Sequence, residues 1–297
     1  LATQVTGKEA ALFVTSGTQG NLLGVWSQTN RGDEVILGRN SHIITHEVGG
    51  LAAIANCLPR VIDHPNDFIY PEDIEAAIRP NDIHEPATSL LCMENALSNG
   101  KVIPVDIMKA NFEMAKKYHL NVHLDGARLF NAATALNVNP IAICECADTI
   151  TFCLSKGLCA PYGSMLCGPR EIIEKARRYR KMIGGGVRQV GILAAAGIIA
   201  IEEMTLRLQE DHDNIRYLAN KLKTLPDFEV IEDGMDINMV FVRYHKDADH
   251  LFNYLQENQV LMNPATDQIF RFVTHYWISK EDIDHLIQLL TNYKNNA

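Results

Sequence analysis

The sequence predicts an α/β fold, with a largely parallel sheet flanked by helices over residues 1–224 and a smaller α+β domain over 225–297. Three observations predict it. Between about residues 10 and 170, short apolar runs alternate with amphipathic stretches of helical period. Several of those runs end in Gly or small hydroxyl residues, as strands do before a loop. Beyond Pro226 the order changes to a few strands and helices of a different spacing.

Seven runs read as strands: AALFVT, EVILG, LPRVI, SLLCMEN, NVHLD, TITFCLS and SMLCG. They are continuous in Val, Ile, Leu and Phe rather than alternating, as strands covered on both faces are. PEDIEAAI opens with Pro and acids, which suit a helix start, and VDIMKANFEMAKKYH puts Ile107, Phe112, Met114 and Ala115 on one stripe. Residues 170–222 read as helix broken only at GGGVRQ, 184–189. After the polar DFEVIEDGMD come a strand MVFVRYH, a helix DADHLFNYLQENQ, a strand pair VLMNP and IFRFVTHY, and a closing helix whose Ser279 and Asp282 fit a capping box.

Composition narrows the function. The 297 residues are 47% hydrophobic with a formal net charge of −9, enough for a large core and poorly matched to nucleic acid or an anionic membrane surface. No apolar run reaches the length of a membrane span. Seven cysteines without regular spacing point to a reducing compartment, the cytoplasm, and Cys144 and Cys146 read as buried packing rather than a metal pair. The opening LATQVTGKEA has neither an initiator Met nor a signal-type segment and reads as a fragment whose true start is missing.

Chemistry gathers at the ends of the predicted strands. In TFCLSKGLCAPYGSMLCG, Lys156 follows a buried run: it reads either as a lysine snorkelling to the surface or as a desolvated amine able to form a Schiff base. FVTSGTQGN turns from strand to helix through Ser16, Gly17 and Thr18, a helix cap or a phosphate cradle. Asp125 closes NVHLD before a Gly turn, with Arg128 or a protonated pyridine nitrogen as its partner. In SHIITHEVGG, His42, His46 and Glu47 lack the spacing of a two-histidine metal helix, so no metal is expected. His84 lies in a loop ahead of SLLCMEN and taken alone is a surface histidine; the RRYRK cluster at 177–181 reads as a solvated face or an anion contact. A phosphate turn, an aromatic base, a strand-end Asp and a strand-end Lys on an open α/β sheet form the arrangement expected for pyridoxal phosphate.

The blocks TSGTQGN, SHIITHEVGG, HLDGARLFNAA, CLSKGLCAPYGS, RYRKMIGGGVRQVGILAAAG and RFVTH occur in order from about residue 7 onward. In them the chain resembles the low-specificity L-threonine aldolases of the beta-eliminating lyase group, among the aspartate-aminotransferase-type (fold type I) pyridoxal phosphate enzymes. The resemblance implies a fold type I PLP-dependent transferase architecture and cleavage of β-hydroxy amino acids such as L-threonine or L-allo-threonine to glycine and an aldehyde. It implies that Lys156 carries pyridoxal 5'-phosphate, Asp125 pairs the pyridine nitrogen, His42 stacks on the ring, and Gly17, Thr18 and Gln19 hold the phosphate. Arg271 takes the substrate carboxylate, Arg128 lies at the cofactor's oxygen or that carboxylate, His84 approaches the substrate hydroxyl, and Arg188 reaches the phosphate or a neighbouring subunit. A homo-oligomer, dimer or tetramer, is implied as well. Two departures stand out: the family's amino-terminal segment is absent from the sequence, and Cys159 stands where Gly is usual. Related transamination, racemisation or β-elimination, or a catalytically poor assembly subunit, are the alternatives the same residues allow.

Overall fold

In the computed structural model, which describes residues 1–296, the chain forms two compact units. The first comprises Leu1–Ser98 and Ile103–Thr205. Its strands are β1 (Ala10–Val14), β2 (Glu34–Gly38), β3 (Leu58–Ile62), β4 (Thr88–Glu94), β5 (Asn121–Asp125), β6 (Thr149–Cys153) and β7 (Ser164–Gly168). Its helices are α1 (Ala2–Thr6), α2 (Gly17–Trp26), α3 (His42–Thr45), α4 (Gly50–Ala53), α5 (Pro71–Ala77), α6 (Val105–Lys117), α7 (Leu129–Leu136), α8 (Pro140–Cys144), α9 (Arg170–Met182) and α10 (Gly191–Glu202).

All seven expected strands are present in one sheet of order β1-β7-β6-β5-β4-β2-β3. Only β7 runs antiparallel to its neighbours β1 and β6; the pairs from β6 to β3 are parallel. Every residue of β6 and the last five of β4 are buried, which is why these runs carry no alternation of polar residues. Helix α2 contributes Leu23 to the cluster of Leu12, Val14, Leu166 and Ile173, and Val25 to that of Val35, Leu37, Leu90 and Cys92.

Local differences from the sequence expectation have physical causes. On α6 the buried stripe is Met108, Asn111 and Ala115, not Ile107, Phe112 and Met114. Asn111 is tolerated there because its Nδ2 donates to Ile69 O at 2.7 Å. The long helical stretch is broken a second time, by a 3₁₀ turn at Met204–Arg207. Tyr179 of RRYRK stacks on Trp26 at 3.9 Å and Arg180 donates to Phe13 O at 2.5 Å, so part of that cluster pins α9 to α2 and β1. All seven cysteines are free, and Cys144 and Cys146 are buried.

The second unit comprises Asn99–Val102 and the chain from Leu206 on. It contains α11 (Leu208–Leu222), β8 (Phe228–Ile231), β9 (Met239–Tyr244), α12 (Ala248–Glu257), β10 (Ile269–Val273) and α13 (Lys280–Asn296). Its antiparallel sheet has the order β10-β9-β8. The third strand is FEVI, whereas VLMNP is irregular and exposes Leu261. Pro264 removes a donor from that run, while Phe228 and Val230 pack on the unit's core. Helix α11 belongs with this unit because Ile215, Leu218, Ala219 and Leu222 fill the same core. The capping box of α13 forms: Ser279 N donates to Asp282 Oδ2 at 2.8 Å and Asp282 N to Ser279 Oγ at 3.2 Å.

Candidate active site

The carboxyl edge of the parallel strands gathers the site, as expected for an open α/β sheet. Glu94 ends β4 and Asp125 ends β5, and the two are Cα partners across the strand pair. Asp125 in turn pairs with Thr151 of β6, and Lys156 lies three residues beyond the end of that strand. His42 opens α3 just after β2.

Asp125 is 1% exposed, so its oxygens need donors. Ala127 N donates to Oδ1 at 3.0 Å and Asn21 Nδ2 to Oδ2 at 2.8 Å. Asn21 comes from α2, which lies close against the sheet. A Cβ on Gly24 would stand 2.4 Å from His123 Cε1, and one on Gly20 2.5 Å from Thr151 Cγ2. Only glycine at these positions lets Asn21 reach Asp125.

The second N–H of Asn21 goes to Glu47 Oε1 at 2.8 Å, and the same oxygen is hydrogen-bonded to His42 Nδ1 at 2.9 Å. The backbone N–H of His42 donates to Glu94 Oε2 at 2.8 Å, while Ser98 Oγ donates to Glu94 Oε1 at 2.7 Å. His42 is thus held at both its backbone and its ring, yet its side chain stays 29% exposed. The hydrogen bond to Glu47 raises the His42 pKa, with Asp125 adding to the rise and the Lys156 charge opposing it. Burial raises that of Glu47. Both shifts favour a proton held between Nδ1 and Oε1. Glu94 is pushed up to about 7, first by burial and then by the nearby Asp125 charge.

Lys156 is half-buried in a turn in which Cys159 N donates to Lys156 O at 2.9 Å. Its charge, with those of Asp125 and Arg128, acts on the buried Cys153 thiol, which is raised mainly by desolvation. Lys156 and Asp125 therefore lie within electrostatic reach of the same two groups, His42 and Cys153. Cys159 takes φ of 59°, the left-handed region where glycine is unstrained.

On the same edge, the carboxyl end of β1 turns into α2 through Ser16. Gln19 N donates to Ser16 Oγ at 3.2 Å and Gly20 N to Ser16 O at 3.0 Å. The N–H groups of Gly17 and Thr18 make no hydrogen bond among the described residues, at the positive end of a ten-residue helix. The Gln19 side chain is taken, its Oε1 accepting from Thr15 N at 3.0 Å, so it shapes the turn. Gly185 of the glycine break sits against it, where a Cβ would be 2.2 Å from Gln19 Nε2, and Arg188 lies exposed three residues on.

Not every expected residue joins this group. His84 is exposed in the loop before β4, on the amino-terminal side of the strand whose carboxyl end carries Glu94, and its N–H caps onto Asp82 Oδ1. The structure does not bring it to the others, because a strand separates them. Arg271 is exposed on β10 of the second unit. His46 is exposed, with its ring 5.4 Å from that of His42. Ligand atoms of His42, Glu47 and Asp125 lie within 4.8 Å of one another. Asn21 points an N–H donor at each of the two carboxylates.

Asn21, Glu94 and His123 are not among the residues the sequence singles out. The signal for Asn21 was its place in GTQGNLLG, one residue after a glycine and three before another, which marks a helix packed closely on its neighbour.

Residues 1–245 match the model of the beta-eliminating lyase family. The chain belongs to the beta-eliminating lyase family. It is 43% identical over 286 residues to the low specificity L-threonine aldolase of Escherichia coli K12, spanning 95% of this chain and 84% of that protein. It is 39% identical over 294 residues to low-specificity L-threonine aldolase 1 of Arabidopsis thaliana, spanning 96% and 82%. In fold this beta-eliminating lyase is similar to the solved threonine aldolase of Leishmania major, with a TM-score of 0.83 at 19% identity over 98% of this chain and 86% of that one. Serine palmitoyltransferase of Sphingomonas wittichii shares the architecture with a TM-score of 0.75 at 17% identity, over 97% and 73%.

Proposed function

We propose that the chain is a pyridoxal-phosphate-dependent aldehyde-lyase that cleaves β-hydroxy amino acids, L-threonine and L-allo-threonine, to glycine and acetaldehyde. The observation that carries this reading is the gathering of Lys156, Asp125 and His42 at one carboxyl edge, in a chain 43% identical to a low specificity L-threonine aldolase.

The residues fit the cofactor. Each Asp125 oxygen accepts one N–H and has a lone pair left for the N–H of a pyridinium. The outward N–H groups of Gly17 and Thr18 suit a phosphate, and the open face of His42 suits a stacked ring. When bound, pyridoxal phosphate supplies the electron sink for the pair released as Cα–Cβ breaks. Lys156 would hold the cofactor through its side-chain amine, and Asp125 would keep the proton on the ring nitrogen. Glu47 holds His42 with the proton on Nδ1, which leaves Nε2 to take the proton of the substrate's β-hydroxyl. Arg271 binds the substrate carboxylate, Arg128 lies near the cofactor's oxygen or that carboxylate, and Arg188 reaches the phosphate or a neighbouring subunit.

The test is to add pyridoxal phosphate, record the visible absorption and measure acetaldehyde released from L-threonine. Lys156→Ala is expected to lose both the protein-bound visible band and turnover; a variant that keeps both overturns the reading.

The lyase acts in the cytoplasm as a homo-oligomer in this proposal. In support, Ile192, Ile198 and Ile199 of α10 are exposed on a helix without a charged side chain before Glu202, and among the described residues no helix is long and apolar enough to cross a membrane. A sedimentation run giving only the monomer mass counts against the oligomer.

A further inference from the structure

We infer that Asn21 is a positioning residue, the fork of a one-directional hydrogen-bond chain that runs Gln28, Thr149, His123, Asn21 and then to both Asp125 and Glu47. It rests on the site being the one proposed above. Direction is forced from both ends. Gly24 O can only accept, so the Gln28 amide nitrogen faces it at 2.7 Å and gives its other N–H to Thr149 Oγ1 at 2.8 Å. The Thr149 hydroxyl, having accepted, has its proton free for His123 Nδ1 at 2.9 Å. At the far end Asp125 and Glu47 accept, so the Asn21 nitrogen faces them and its oxygen faces His123 Nε2 at 3.2 Å. His123 must then carry its proton on Nε2 and be neutral. Burial supports that state, lowering its pKa to about 4 against the pull of Asp125.

Every link is a group that would be costly to leave unmade: Asn21, His123 and Thr149 are all but completely buried. A chain of donors aligned in one sense polarises each successive N–H, so Asn21 grips two carboxylates at once. Those two carboxylates face different tasks. One is placed for the ring nitrogen, and the other holds His42. Asn21 therefore fixes where the His42 ring stands relative to Asp125, without touching substrate or cofactor.

The test uses the full chain, first without added cofactor, by following the ring nitrogens of His42 and His123 through a pH titration by NMR. In the parent chain His123 is expected to stay neutral with its proton on Nε2. In Asn21→Leu, Glu47 loses a donor and bears more fully on His42, so the His42 midpoint moves upward by about half a pH unit or more. Thr149→Val breaks the chain without touching either carboxylate; loss of the fixed His123 tautomer is expected, and this variant decides the matter if Asn21→Leu does not fold. Variants that lose only melting temperature, with both rings titrating as in the parent, overturn the inference and leave Asn21 a packing residue. With pyridoxal phosphate and L-threonine, Asn21→Leu is expected to lose at least tenfold in kcat with KM little changed. Should the parent neither bind the cofactor nor cleave threonine, the proposed function falls, while the ring titrations still judge the chain of hydrogen bonds.

Discussion

Glu94 and Asp125 stand side by side at the ends of β4 and β5, two buried carboxyl groups in register on adjacent parallel strands. Their mutual repulsion adds to burial in raising Glu94 from 4.5 to about 7. The folded chain thus binds a proton that the unfolded chain releases above pH 4.5. The stability this proton contributes is full below pH 4.5 and is lost as pH rises through about 7. Glu94→Gln keeps an acceptor for His42 N, presents an N–H to Ser98 Oγ where Glu94 Oε1 accepts from it, and removes the titration. Relative to the parent, its unfolding free energy in the chain without cofactor is expected to gain on the order of 3 kcal/mol between pH 5 and 8. Chemical denaturation at several pH values checks this; parallel pH curves for the two proteins would sink it.

Gly24→Ala sets helix propensity against packing. In an exposed helix interior the change is stabilising by about 1 kcal/mol. Here the new methyl meets the His123 ring, which Thr149 and Asn21 hold on either side. A net loss of about 2 kcal/mol is expected, read from urea denaturation; a stabilised variant contradicts the close approach of α2 to the sheet.

Replacing His42 separates its two duties. His42→Phe keeps a ring to stack and is expected to retain cofactor binding while kcat falls about 10²–10³-fold. His42→Ala is expected to weaken cofactor binding as well. Equal affinity for pyridoxal phosphate in the two variants argues against stacking.

Arg271 and His84 are both exposed polar residues, and only one is expected to matter. Arg271→Ala should raise KM for threonine about 10–100-fold, the scale of losing a charge-assisted pair. His84→Ala should change kcat/KM by no more than about twofold, as a surface substitution away from the chemistry does. A large loss in His84→Ala would place this loop near the substrate.

The seven strands were legible because a strand buried on both faces needs an unbroken apolar run, and the chain spells out seven of them. Lys156 and Asp125 were legible for the related reason that a charged residue closing such a run must have a task or a partner. In the second unit, FEVI and VLMNP were harder to tell apart: both are short and apolar, and only the core they meet decides which pairs.

By itself the sequence determined the α/β class and the carboxyl edge on which the chemistry lies, since local apolar period and strand-end residues are written along the chain. Tertiary structure alone decided that Asn21 meets Asp125, 104 residues away, that Glu94 faces His42 across 52, and that His84 meets neither. A hydrogen bond between distant residues depends on how closely a helix lies on a sheet, and that distance is set by glycines and packing rather than by any local pattern.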